Sequence, residues 1–125
     1  MYQDVMGGLN TVFTFDNMDE LEEILRDVNL PIIVEGKSDV EVLEKHGAED
    51  VIYLKGRPLY KVALMVSKSY KEALVLTDFD REGRKIAKKL NVFLERFGVV
   101  PKNSLRGKIK ELVTKEGVSQ IENIS

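Results

Sequence analysis

Two short apolar runs, Pro31-Ile32-Ile33-Val34 and Ala73-Leu74-Val75-Leu76, constrain this chain more than any other feature, because each delivers acid and then turns through glycine into a helical pattern. Near-continuous apolar runs of this length fit strands of a parallel sheet that is covered on both faces. The second run passes into Asp78-Phe79-Asp80-Arg81-Glu82-Gly83, with carboxylates at alternate positions. Side chains alternate along a strand, so Asp78 and Asp80 can converge on one point at the strand's carboxyl end, and Glu82 can add a third oxygen from the turn. The first run passes into Glu35-Gly36-Lys37-Ser38-Asp39. Ligands of open α/β sheets collect at that carboxyl edge.

The remaining chain reads as alternating elements. Asn17-Met18-Asp19-Glu20 has the pattern of a capping box, and Leu21, Ile24, Leu25 and Val28 follow at helical spacing, which predicts a helix over about 18–28. A strand over 31–35 comes next, then a second capping-box pattern, Ser38-Asp39-Val40-Glu41, opening a short helix that His46-Gly47 closes. Val51-Ile52-Tyr53-Leu54 reads as a strand, Leu59, Val62, Ala63 and Val66 as a helix face, and Ala73 to Thr77 as the strand before the acidic motif. In the following helix, Ile86, Ala87, Leu90, Phe93, Leu94 and Phe97 form one apolar stripe, with Arg81, Arg84, Lys85 and Lys88 on a different face. Val99 to Asn103 is either a short strand or a loop, and Leu105, Ile109, Leu112 and Val113 predict a final helix. Residues 1–16 and 117–125 carry no pattern that assigns them. Strands alternating with helices at this spacing predict an α/β fold with a mostly parallel sheet, right-handed crossovers and helices on both faces.

Val34-Glu35-Gly36-Lys37-Ser38-Asp39, followed about forty residues later by Asp78-Phe79-Asp80-Arg81-Glu82-Gly83, resembles the Toprim domain. That module is shared by type IA and type II topoisomerases, bacterial primases, old-type nucleases and the 5S ribosomal RNA maturase. The resemblance is greatest to the small single-domain Toprim proteins of archaea and some bacteria, and it covers residues 30 to about 97. It implies a three-layer, Rossmann-like Toprim fold with the two acidic motifs on adjacent central strands, so that Glu35 faces Asp78 and Asp80 across one cleft. It also implies proton transfer by Glu35. Arg84 stands where the type IA version usually has another acid, so the role of that acid is not carried over.

An all-oxygen donor set suits magnesium, with manganese as a substitute, better than zinc. Asp78 and Asp80 are the expected primary ligands. Glu82 either joins them or interacts with the positive end of its helix dipole. Glu35 serves as general acid or base, or as a ligand when a second ion enters. Lys37 and Arg81 beside the cleft are candidate phosphate contacts, as are Arg84, Lys85 and Lys88 on the basic helix face, and Lys55-Gly56-Arg57 could reach the same edge. Structural roles compete at several positions: Asp80 as a helix N-cap, Asp39 as a helix starter, and Gly36 and Gly83 in backbone conformation or close packing. His46, near a helix end, is expected to be exposed. The four tyrosines, Tyr2, Tyr53, Tyr60 and Tyr70, show no motif of a topoisomerase nucleophile.

Charge is unevenly spread over a chain whose formal net charge is only −2. From Asp16 to Asp50 there are twelve acids against three bases, a balance of −9, whereas Arg81 to Lys115 carries eleven bases against three acids, a balance of +8. A surface for RNA or DNA is therefore compatible with an acidic total. The 125 residues predict one domain, too short for the extra domains of a topoisomerase or primase, so a protein partner could supply them. With a mean hydropathy of −0.18, no run of ~18 apolar residues and no basic, apolar leader at the amino terminus, a soluble cytoplasmic protein is expected. The absence of cysteine excludes disulfides, thiol catalysis and sulfur-ligated zinc. Charged residues at 32% with neither Cys nor Trp are compatible with a thermophilic source.

The leading functional expectation is a magnesium-dependent nuclease or related phosphotransferase acting on RNA or DNA. Its alternative is a Toprim module that binds metal and nucleic acid, or a protein partner, without turnover. A haloacid-dehalogenase-like phosphatase is the third reading, because Asp78-Phe79-Asp80 matches its nucleophile motif superficially. Glu82 stands where that motif has Thr or Val, and little chain remains for its later lysine and acids.

Overall fold

The computed structural model describes residues 15–124. Four strands, β1 (Ile32–Val34), β2 (Val51–Tyr53), β3 (Glu72–Val75) and β4 (Val100–Pro101), form one sheet among the described residues. The order is β2-β1-β3-β4 and every pairing is parallel, with Ile32 opposite both Val51 and Leu74, and Glu72 opposite Val100. Helices α1 (Phe15–Asp27), α2 (Lys37–Lys45), α3 (Leu59–Ser67), α4 (Arg81–Arg96) and α5 (Asn103–Thr114) surround it, and a 3-10 turn spans Ile121–Asn123.

Strand alternation divides the core into two. Ile32, Val34, Leu74 and Leu76 pack against Leu21, Leu25, Leu43, Ile109 and Ile121, so α1, α2, α5 and the 3-10 turn cover one face. Ile33, Ala73 and Val75 pack against Val62, Ala63, Val66, Leu90 and Leu94, so α3 and α4 cover the other. The result is the expected helix–sheet–helix sandwich. Because β1 pairs with β2 on one side and β3 on the other, successive crossovers diverge from it, and a crevice opens at the carboxyl ends of β1 and β3.

Several local expectations shift. Helix α1 begins at Phe15, ahead of the expected cap, and Asn17 instead donates its side-chain amide to Glu116 Oε2 at 2.7 Å. Tertiary contact has displaced a local capping signal. Helix α2 begins two residues earlier than expected: Gly36 is the N-cap, and its N–H donates to Asp39 Oδ2 at 2.9 Å. Asp39 therefore starts the helix, as expected, from a shifted register. Val99 to Asn103 resolves into the edge strand β4, where Pro101 is tolerated, and the first residue of α5. Residues 118–124 are packed on the core through the buried Ile121 and Ile124.

His46 is buried rather than exposed, at 7% of its possible surface. It caps α2, and its Nδ1 lies 2.6 Å from Glu22 Oε2 on α1. Gly47 follows with φ of 105°, where a side chain would be strained and would meet Arg26. The ring thus ties α2 to α1 while the chain turns into β2. Glu22→Ala leaves a buried imidazole donor without its acceptor and is expected to lower stability by about 1–3 kcal/mol in urea denaturation. A loss within experimental error would return His46 to a purely apolar role.

Candidate functional site

The carboxyl edge of the sheet is built around Asp78. The Asp78 N–H donates to Glu35 Oε2 at 2.7 Å, joining the residue after β1 to the loop after β3. Asp78 Oδ1 accepts the N–H of Ile121 at 2.8 Å, which docks the 3-10 turn onto the site. The carbonyls at the end of β3 and in the loop after it are taken by Arg106 from α5: it donates to Val75 O at 3.0 Å, Thr77 O at 2.8 Å and Asp78 O at 3.2 Å. Its guanidinium also lies 4.7 Å from the centre of the buried Phe79 ring. Buried strand-end carbonyls need donors, and here one planar fork supplies three.

Helix α4 starts immediately after this point. Asp80 is its N-cap, with Oδ1 accepting the Gly83 N–H at 2.8 Å, so the capping reading holds for this residue. Gly83 O in turn accepts Thr77 Oγ1–H at 2.7 Å. An added Cβ on Gly83 would fall 1.9 Å from Asp78 O, and backbone cannot yield as a flexible side chain can. Close packing of α4 against the loop after β3 thus requires this glycine.

A pocket of about 540 Å³ opens here, lined on its acidic side by Glu35, Asp39, Asp78 and Glu122. Its cations are Lys55 and Lys89, and Leu54, Leu59 and Ile86 supply apolar surface. Burial is the main cause that raises the Glu35, Asp39 and Asp78 carboxyls above the usual carboxylate range, and mutual repulsion adds to it. The Asp80 charge acts on both Glu35 and Asp78. Arg106 attracts both acids, but burial pulls its own pKa down and its guanidinium donates to the carbonyls of Val75, Thr77 and Asp78.

The structure brings Glu35 and Asp78 together and sets Asp80 nearby, at the helix cap. Glu82 is on the exposed side of the first α4 turn, 3.6 Å from Lys85, and does not line the pocket. Lys37, Arg81, Arg84, Lys85 and Lys88 are all exposed outside its lining, and Arg84 donates to Phe79 O at 3.1 Å. Among the described residues, no three His, Cys, Asp or Glu side chains are gathered as a ready metal-holding group. The donor chemistry nevertheless fits a hard cation: Glu35 and Asp78 offer oxygen, are crowded by like charge, and pair with no Lys or Arg in a salt bridge among the described residues. Sequence reasoning missed Arg106, Lys89, Ile121 and Glu122. Lys89 had one signal, its three-residue spacing from Ile86 on α4.

The Toprim domain family profile matches residues 31–113, spanning both acidic motifs and Arg106. The chain belongs to the Toprim family. A UPF0292 protein of Pyrococcus abyssi is 40% identical over 101 residues, covering 80% of this chain and 75% of that protein. Another, from Methanocaldococcus jannaschii, is 37% identical over 113 residues, covering 85% of this chain and 88% of its own. A solved structure described as a putative protein from Aquifex aeolicus superposes with a TM-score of 0.71 at 28% identity, covering 87% of this Toprim chain and 95% of that one. Toprim domains generally bind magnesium and typically engage nucleic acid, which gives this chain its broad functional class. No helix among the described residues is long and apolar enough to cross a membrane.

A raised acid pKa means that the folded state holds its proton more tightly than the unfolded chain. The stability contribution of Glu35, Asp39 and Asp78 is therefore fully present below the ordinary carboxylate range near 4, and is lost as pH rises through their raised values. Asp78→Asn keeps an acceptor for the Ile121 N–H without the charge. In metal-free buffer, its melting temperature relative to the parent is expected to climb as pH rises from about 4 to 7. A pH-independent difference would show that Asp78 is not electrostatically crowded.

Proposed function

We propose that this Toprim protein is a magnesium-dependent nuclease or related phosphotransferase acting on RNA or DNA phosphodiesters. The observation that carries the reading is the 2.7 Å bond from the Asp78 N–H to Glu35 Oε2, which holds the two acids just past the ends of β1 and β3 in a pocket that also presents Lys55 and Lys89. Asp78 and Asp80 would hold the ion, with Glu35 as a further ligand when a second ion enters. Bound there, magnesium or manganese would neutralise phosphate charge.

Glu35 acts as the acid–base group. Its carboxyl is pushed up by burial and by neighbouring acids, so it retains a proton more readily than an exposed glutamate. As water forms a new P–O bond and the bond to the leaving oxygen breaks, Glu35 gives its proton to that oxygen, and the attacking water releases one to solvent. The Asp78 N–H holds one Glu35 oxygen in place during this transfer. A second reading, a module that binds metal and nucleic acid without turnover, is favoured by the engagement of Asp80 Oδ1 with the Gly83 N–H as the cap of α4, which commits one of the candidate ligand oxygens to the fold.

Cleavage assays on structured RNA, single-stranded DNA and supercoiled plasmid, with magnesium or manganese, separate the two. Glu35→Gln is expected to reduce cleavage by ~10²-fold or more with much less effect on metal affinity by calorimetry, whereas Asp78→Asn should lose both. No cleavage of any substrate by the parent supports the binding module. Near-parental cleavage by Glu35→Gln removes the proton-transfer role.

The exposed cations of α4 provide the route for longer-range phosphate contact. Arg84 has a structural bond to Phe79 O, so Arg81, Lys85 and Lys88 form the cleaner test set. Their joint replacement by Ala is expected to weaken nucleic-acid binding and flatten its salt dependence while leaving the melting temperature nearly unchanged. An unaltered salt slope would assign this face to solvent alone.

A further inference from the structure

We infer that the pocket beside Glu35 and Asp78 is a subsite for one unpaired nucleotide, with its base against Leu54, Leu59 and Ile86 and its phosphate held by Lys55 and Lys89. This deepens the proposed action on nucleic acid and rests on it. The acids alone would argue for nothing more than a cation. The decisive feature is that the same cavity carries three different surfaces.

The apolar surface comes from the helix layer opposite α2 and the 3-10 turn. Leu54 follows β2, Leu59 opens α3 and Ile86 lies on α4, where α3 and α4 pack together. Leu59 and Ile86 are only partly buried, so they complete the second core with one side and leave the other to the cavity. Ile86 and Lys89 are three residues apart on α4 and share a face. Lys55 enters from the turn after β2, its N–H donating to Glu35 O at 2.9 Å, which places that turn beside the acids. Neither Lys55 nor Lys89 has a salt-bridge partner among the described residues.

A bare phosphate would use the lysines but leave the aliphatic surface wet. A sugar phosphate would do little better. A nucleoside phosphate matches all three surfaces, and about 540 Å³ lies within the ~300–1,000 Å³ usual for small-ligand sites. A base stacked inside a duplex cannot offer its face to such a floor, so the occupant must be unpaired, terminal or flipped out. The pocket therefore selects strand ends and single-stranded positions, while the outer cations on α4 track the backbone.

Calorimetric titration with AMP and with ribose 5-phosphate, at fixed magnesium, tests the base contact apart from cleavage. AMP is expected to bind about tenfold or more tightly than ribose 5-phosphate. Ile86→Asn, at a partly exposed position, should remove that advantage while ribose 5-phosphate binding persists, which also serves as the folding control. Lys55→Ala and Lys89→Ala should weaken both ligands. Equal binding of AMP and ribose 5-phosphate by the parent, or an undiminished AMP preference in Ile86→Asn, overturns the inference. A single-stranded oligonucleotide should compete with AMP better than a blunt hairpin of the same composition; failure to compete overturns the strand assignment and identifies a free-nucleotide site. Cleavage without base preference defeats this inference alone, and base preference without cleavage defeats only the proposed catalysis.

Discussion

The path of the backbone at Asp78 is the constraint on which the carboxyl edge depends. Its N–H is held by Glu35, its carbonyl by Arg106, and its carboxylate by the N–H of Ile121. Gly83 packs so closely on the same carbonyl that no side chain fits. These contacts reach from the turn after β1, α5, the 3-10 turn and α4 to a single residue. A loop held from four directions can keep charged groups in a fixed arrangement, which is what a reaction centre needs and what an ordinary strand end lacks.

That arrangement works against the fold's own electrostatics. Glu35, Asp39 and Asp78 are partly buried near one another, and burial and repulsion together raise their pKa values. Arg106, the partly buried cation that attracts both Glu35 and Asp78, directs its hydrogen bonds to the main-chain carbonyls of Val75, Thr77 and Asp78. The site is thus left with negative charge that a bound cation can offset. The stability comes from elsewhere, namely two apolar cores on opposite faces of the sheet and the Glu22–His46 tie between α1 and α2.

Cations in this molecule act at two distances. Lys55 and Lys89 enter the pocket, whereas Arg81, Lys85 and Lys88 remain outside its lining. Reading the helix as a wheel separates an apolar stripe from a basic face, but it does not indicate which edge of the basic face meets the crevice. That depends on how α4 leans on α3 and on the sheet, so Lys89, adjoining the Ile86 side, reaches the cavity while its neighbour Lys88 does not.

The sequence by itself determined the elements and the chemistry of the strand ends. Apolar runs ending in Glu35 and Asp78, with helical periodicity between them, identify an α/β fold because periods of two and 3.6 are local properties of the chain. Asp80 as a cap and Asp39 as a helix starter were legible for the same reason. The tertiary structure alone decided which distant groups complete the site. Arg106, Ile121 and Glu122 lie 28 or more residues beyond Asp78 and carry no motif, and their roles arise because α5 and the 3-10 turn fold back on β3. The burial of His46 is hidden from the sequence for a related reason: exposure at a helix end is a local average, and the partner that allows its burial, Glu22, is on another helix. Local sequence encodes backbone preference and alternation, whereas the satisfaction of buried polar groups is settled only when distant segments meet.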